Sequence, residues 1–120
     1  MRFGRTLLLL ALAPLCAMAA DLSGKWTSTF DTQVGQQNYT YVFTVDGTRL
    51  TGKAISANGE TAIEEGTVKG DDISFVEKLT FQNRDLVLTY TGKIVSADEI
   101  QLTRDVSGFY KETLVAKRSK

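Results

Sequence analysis

Turn-forming residues recur about every eleven positions along residues 34–108, and this spacing constrains the chain more than any other feature. The turns read as Val34-Gly35-Gln36, Asp46-Gly47, Asn58-Gly59, Gly70-Asp71-Asp72, Gln82-Asn83-Arg84-Asp85, Ser96-Ala97-Asp98 and Ser107-Gly108. Between them lie eight runs rich in Thr, Val, Ile, Tyr and Phe, at 22–32, 37–45, 49–57, 60–69, 72–81, 85–95, 98–106 and 109–118. These residue types favour strands, and no window within the runs carries a helical period. Asp46-Gly47 and Asn58-Gly59 suit two-residue hairpin turns in which both central residues take positive φ.

Most runs alternate with period two. Tyr39, Tyr41, Phe43 and Val45 share a face, as do Ile73, Phe75, Glu77 and Leu79. Leu86, Leu88, Tyr90 and Ile94 form a third such set, Ile100, Leu102 and Arg104 a fourth, and Leu114, Ala116 and Arg118 a fifth. One apolar face per strand with short connections means one-sided burial in an antiparallel meander. A flat eight-stranded sheet would leave that face wet and two edges open, and closure removes both problems. The expected fold is therefore all-β, an eight-stranded antiparallel up-and-down barrel, with a two-sheet β-sandwich as the alternative.

The segment 1–20 stands apart. Arg2 and Arg5 precede an apolar run from Thr6 to Leu15, and small residues follow in Ala17-Met18-Ala19-Ala20. That order is the pattern of a secretory signal peptide, with cleavage expected before Ala20 or Asp21. The run is shorter than the roughly 20 residues that a membrane span requires. Leu15 before Cys16 is too bulky for a lipobox. The expected mature unit is 21–120, a single domain, periplasmic or secreted, with no membrane anchor. It contains no Cys, Pro, Met or His, since the one Cys, the one Pro and both Met lie within 1–20. It has 12 basic and 14 acidic residues, a net charge of −2, which offers nothing to nucleic acid or an anionic membrane.

Without His or Cys, this unit lacks a Ser-His-Asp triad, a Cys-His dyad and an ordinary zinc or copper site, and no Asp-x-Asp-x-Asp-Gly calcium loop is present. No cofactor is expected. The informative residues are charges on apolar faces, namely Glu77 among Ile73, Phe75 and Leu79, and Arg104 beside Ile100 and Leu102. A charge facing a barrel interior costs several kcal/mol unless it is paired. The two are expected to meet or to sit at a wet mouth, with Glu64 or Glu65 as a further member. The parity of that strand is left open by Gly66, which can carry a bulge.

Three phrases repeat along the chain: Leu22-Ser23-Gly24-Lys25-Trp26, Leu50-Thr51-Gly52-Lys53-Ala54 and Tyr90-Thr91-Gly92-Lys93-Ile94. Each Gly marks a place where a strand coils tightly or another backbone comes close. The first phrase, with Gly-x-Trp opening the first strand of a meander, resembles the calycin group of lipocalins, avidins and small periplasmic metalloprotease inhibitors. The whole unit also resembles small exported bacterial barrels found alone or beside sugar-processing enzymes. The calycin resemblance implies that Trp26 plugs one end of the barrel. A basic residue of the last strand would pack across it by cation–π contact, Arg118 by parity or otherwise Lys117. It also implies polar ligand contacts at Ser28 and Thr32. The tryptophans that wall biotin in avidins have no counterpart here, because Trp26 is the only Trp, and the disulfide of the inhibitors is absent.

These readings lead to a non-enzymatic barrel that binds a small molecule, anionic or sugar-like, or another exported protein. Arg104, Glu77, Tyr41, Tyr90 and Ser28 form its expected ligand site, and Trp26 and Arg118 its structural closure. One alternative is an enzyme, a cyclase, isomerase or glycoside hydrolase, with Glu77 as acid or base and Arg104 stabilising negative charge. Hydrolysis of a glycoside would require a second carboxylate across the bond, from Glu64 or Glu65. The other alternative is an inhibitor-like module whose loops, such as Val34-Gly35-Gln36, touch a protein partner.

Overall fold

The computed structural model describes residues 22–119, and the expected export segment lies outside them. The strands are β1 (Gly24–Thr32), β2 (Gly35–Asp46), β3 (Arg49–Ser56), β4 (Gly59–Lys69), β5 (Asp72–Phe81), β6 (Arg84–Ser96), β7 (Glu99–Val106) and β8 (Tyr110–Arg118). Each pairs antiparallel with its neighbour in sequence, and β8 returns to β1, so the sheet closes into an eight-stranded barrel. The sandwich alternative is thereby excluded. The alternating sets point inward as their period requires: Tyr39, Tyr41 and Phe43 on β2, Ile73 and Phe75 on β5, and Leu88, Tyr90 and Ile94 on β6 are all buried. Each such side chain contributes about 1.5–3 kcal/mol on leaving water.

The turns depart from expectation in detail. At Gly47-Thr48 and at Asn58-Gly59 only the glycine takes positive φ, +65° at Gly47 and +113° at Gly59. Two consecutive positive-φ residues occur instead at Gln82-Asn83, at 53° and 63°, and at Ser107-Gly108, at 49° and 80°. Asn tolerates the left-handed region because its short polar side chain bonds locally. The pairing of β5 with β6 on both sides holds Gln82 there as well.

Strand β4 is bulged. Its register with β5 shifts between Glu64 and Thr67, and Glu65 carries the positive φ of 51°. The extra residue flips the parity, so that Ile63 and Val68, five apart, both face the core. The glycines of the repeated phrase answer to close backbone approach. A Cβ on Gly52 would lie 1.8 Å from the Val42 carbonyl oxygen, and one on Gly92 would lie 2.0 Å from that of Gln101. Gly24 leaves room for the Arg118 guanidinium, 3.3 Å from where its Cβ would stand.

One end of the barrel is plugged. Trp26 is fully buried, and its Nε1 donates to the Leu22 carbonyl at 2.9 Å. The Arg118 guanidinium carbon lies 4.5 Å from the indole centroid, while Nε and Nη1 of Arg118 donate to the carbonyls of Ala97 and Ser23. Lys117 points outward and pairs with Glu99 at 2.8 Å. The middle is filled by Tyr41, Phe43, Phe75 and Tyr90, with Phe75 and Tyr90 stacked at 4.3 Å between centroids.

The opposite end carries the turns at 33–34, 57–58, 82–83 and 107–109, and it is open. Closure between the first and last strands is also incomplete. Strand β1 pairs with β2 from Gly24 to Thr32, but its register with β8 comprises only Trp26↔Arg118 and Thr27↔Lys117. Beyond that point the Ser28 hydroxyl donates to the Val115 carbonyl at 2.8 Å, a side chain standing in for a ladder bond.

Candidate functional site

Cross-strand register assembles the polar interior. On adjacent strands Phe75 stands opposite Tyr90, Tyr90 opposite Arg104, and Arg104 opposite Glu112. All four point inward, so a row of neighbours runs across β5 to β8. Arg104 has 7% of its surface exposed and Glu77 has 1%. The two expected partners do not touch directly. Instead both meet the Tyr90 hydroxyl, which donates to Glu77 Oε1 at 2.9 Å and accepts from Arg104 Nη1 at 3.3 Å. The Tyr41 hydroxyl donates to the same Tyr90 oxygen at 3.1 Å. Glu77 Oε2 accepts from Thr61 at 2.7 Å, so both oxygens of this carboxyl are occupied within the barrel.

The ion-pair partner of Arg104 is Glu112, with Nε and Oε1 2.8 Å apart and both side chains buried. At this distance the N–H does not aim along the line to the oxygen, so the contact is coulombic and neither atom completes a hydrogen bond. The guanidinium also lies between two rings, 5.1 Å from the Phe30 centroid and 5.2 Å from that of Tyr39. Burial works against its charge, but the Tyr90 and Tyr39 hydroxyls and Glu112 more than offset that, and its pKa is raised. Burial pushes the Tyr41 and Tyr90 hydroxyls well above their ordinary range, and nearby Glu77 acts in the same direction.

Glu64 and Glu65 do not join this group. Glu64 is exposed and pairs with Lys78 at 3.5 Å, and Glu65 is exposed at the bulge. The parity flip at the bulge turns both outward. Glu112 is not among the expected site residues; its phase with Leu114, Ala116 and Arg118 on β8 is the signal that could have found it.

Above Arg104 and Glu112 the open end forms a cleft of about 430 Å³. Its walls include Val34, Leu79, Phe81, Leu86, Phe109 and Tyr110, and its floor includes Tyr39, Arg104 and Glu112. Of the five residues expected to form the ligand site only Arg104 lines this cleft, together with Thr32, the ligand contact that the calycin resemblance implied. Tyr41, Tyr90 and Glu77 lie beneath the floor, where they support it, and Ser28 is engaged at the β1–β8 seam. Val34 and Phe109 stand out on the rim, 61% and 72% exposed. Among the described residues no group of three or more His, Cys, Asp or Glu is placed to hold a metal.

Comparison with known proteins adds the fold and nothing about activity. No protein-family model matches the chain, and no curated protein matches it. Among solved structures, the chain is similar to one described as a redesigned β-barrel. The TM-score is 0.65 at 17% identity, over 86% of this chain and 96% of that one. At that identity the likeness is one of architecture, an eight-stranded antiparallel barrel.

Proposed function

We propose that this barrel binds a small, mainly apolar molecule in the open end, with one polar group of the ligand meeting Arg104 and Glu112 at the floor. The observation that carries this reading is the buried Arg104–Glu112 pair at the bottom of a cleft whose walls are mostly apolar. Sites for small molecules combine these features: apolar walls of a few hundred cubic ångströms and a small number of placed polar groups. Binding is favoured over the reaction reading because Glu77 is buried with both oxygens held by Tyr90 and Thr61, and Glu64 and Glu65, the second carboxylates that reading required, are exposed. Export to the periplasm or medium, as the N-terminal pattern suggests, belongs to the same proposal.

The test is titration with the neutral fluorophore N-phenyl-1-naphthylamine. Saturable one-to-one enhancement is expected, and it disappears in Leu86→Arg, which fills the cleft from its wall, while circular dichroism shows the fold retained. No saturable enhancement, or unchanged binding by Leu86→Arg, refutes the reading.

A second reading rests on the exposed Val34 and Phe109, which suit contact with another exported protein. In that case Val34→Ser with Phe109→Ser abolishes capture of the partner, whereas Leu86→Arg, which blocks the cleft, leaves capture within about twofold.

A further inference from the structure

The floor of the cleft restricts which polar group a ligand can bring. Within the barrel one guanidinium, Arg104, serves two carboxyl groups, Glu112 directly and Glu77 through the Tyr90 hydroxyl. Both oxygens of Glu77 accept hydrogen bonds, the pattern of a carboxylate. A ligand carboxylate at the floor would be a third acidic group around a single cation, out of water. Like charges at that range are strongly unfavourable in a low-dielectric setting. Arg84 also lines the cleft but stands exposed at the rim, where water and salt screen it, so it does not alter the balance at the floor.

The floor does offer hydrogen bonding of both kinds. Arg104 and Glu112 both line the cleft; their Nε and Oε1 stand 2.8 Å apart, closed off from it and without a hydrogen bond, so a ligand meets the other guanidinium N–H groups and the other carboxylate oxygen. Such partly desolvated donors and acceptors gain most from a group that pairs with each of them. A single neutral group that presents an acceptor beside a donor, as an amide, lactam or ureide does, accepts from Arg104 and donates to Glu112 while leaving the charge count unchanged.

From this we infer that the cleft selects a neutral ligand head that both accepts and donates, of the carboxamide type, on an apolar body, and that it rejects the matching carboxylate. The inference rests on the cleft being a binding site, and it deepens that reading by naming the class of head group. Glu112 is then the residue that sets specificity, by supplying the acceptor and by cancelling the charge that would otherwise draw an anion to Arg104.

The experiment is displacement of N-phenyl-1-naphthylamine near neutral pH by three ligands with the same alkyl tail: octanamide, methyl octanoate and octanoate. Octanamide is expected to displace the fluorophore at least about tenfold more effectively than either of the others, because the ester lacks the donor and the acid brings a charge. In Glu112→Gln, checked for fold by circular dichroism, octanoate gains at least about tenfold relative to octanamide, since Glu77 is then the one protein carboxylate that shares Arg104 and the ligand takes the place of the other. Equal or tighter binding of octanoate by the wild type overturns the inference, as does an ester that matches the amide or a Glu112→Gln protein with the original ranking. Should that variant not fold, the wild-type ranking alone decides. If the fluorophore binds and none of the three displaces it, the head-group assignment fails while the binding site stands. If the fluorophore itself does not bind, both fail.

Discussion

Replacing Glu112 by Leu strands Arg104, and the structure sets the size of the effect. Both members of the pair are more than nine-tenths buried and stand directly opposite one another on β7 and β8. Removing one partner of a buried ion pair costs about 3–5 kcal/mol, because the remaining charge is left in a poorly polarisable interior. Here the residual support is partial. Arg104 keeps a long hydrogen bond to Tyr90 at 3.3 Å, through that hydroxyl its link to Glu77, and its position between the Phe30 and Tyr39 rings. A desolvated cation–π contact is worth up to about 2 kcal/mol, which places the expected loss for Glu112→Leu near the lower limit, about 3 kcal/mol. The triple replacement Arg104→Met, Glu112→Leu and Glu77→Gln removes all three charges and keeps a hydrogen-bonding group beside Tyr90 and Thr61, so it should cost only about 1–2 kcal/mol, chiefly the lost cation–π contact. The triple variant is thus expected to be more stable than the single one. Reversible urea unfolding followed by the fluorescence of Trp26, the only tryptophan, measures all the species on one scale. A loss below about 1 kcal/mol for Glu112→Leu, or a triple variant at least as unstable as the single one, refutes the description of a buried, mutually dependent charge cluster.

The buried tyrosines predict alkaline instability. With their folded-state pKa values raised, Tyr39, Tyr41 and Tyr90 keep their protons while the same groups in the unfolded chain ionise near pH 10. Their contribution is intact below that pH and is lost as pH rises above it, at up to about 4 kcal/mol per unit once all three ionise in the unfolded chain. Phenolate absorbance from these three should appear only together with loss of the β-sheet dichroism, and a gradual rise in a folded protein would contradict the assignment. Gly52→Ala should cost several kcal/mol or prevent folding, because the new Cβ meets the Val42 carbonyl and φ is +142°. Glu65→Gly should instead stabilise the barrel by about 1 kcal/mol by relieving the left-handed backbone at the bulge. Urea midpoints distinguish the two, and a neutral Gly52→Ala would show the close approach to be unimportant.

Strand number, closure and the inward sets were legible because a one-sided strand writes its orientation into every second residue. Glu77 and Arg104 stood out for the same reason, each set among apolar neighbours of like parity. The reading broke down where parity itself changes. The bulge in β4 falls where Gly66 suggested one, but its left-handed position is held by Glu65 rather than by the adjacent Gly66, whose missing Cβ admits the Leu50 carbonyl, so residue type did not say which way the two glutamates turn. Glu64 and Glu65 were therefore left open at the sequence level, and the fold turns them outward. Glu112 escaped notice for a different reason. On its N-terminal side the next inward-phase residue is Tyr110, which stands 47% exposed at the rim, so the apolar run that would frame the charge is present on one side only. Pairing across strands was invisible altogether: alternation shows that a side chain points inward but not which residue faces it in the neighbouring strand.

The narrow junction of β1 and β8 has a consequence for how the chain reaches its native state. Every other neighbouring pair of strands is joined by a short hairpin, whereas this junction links Ser23 to Arg118 and Ser28 to Val115 across separations of 95 and 87 residues. Contacts so distant along the chain carry the largest loop-closure entropy and are the slowest to form. Until β8 arrives, the other seven strands amount to a curved ribbon with two unprotected borders, open to wrong partners. Shortening the protein by its last few strand residues would then do more than remove a small contact area. It would convert a cylinder into an aggregation-prone intermediate with no means of finishing.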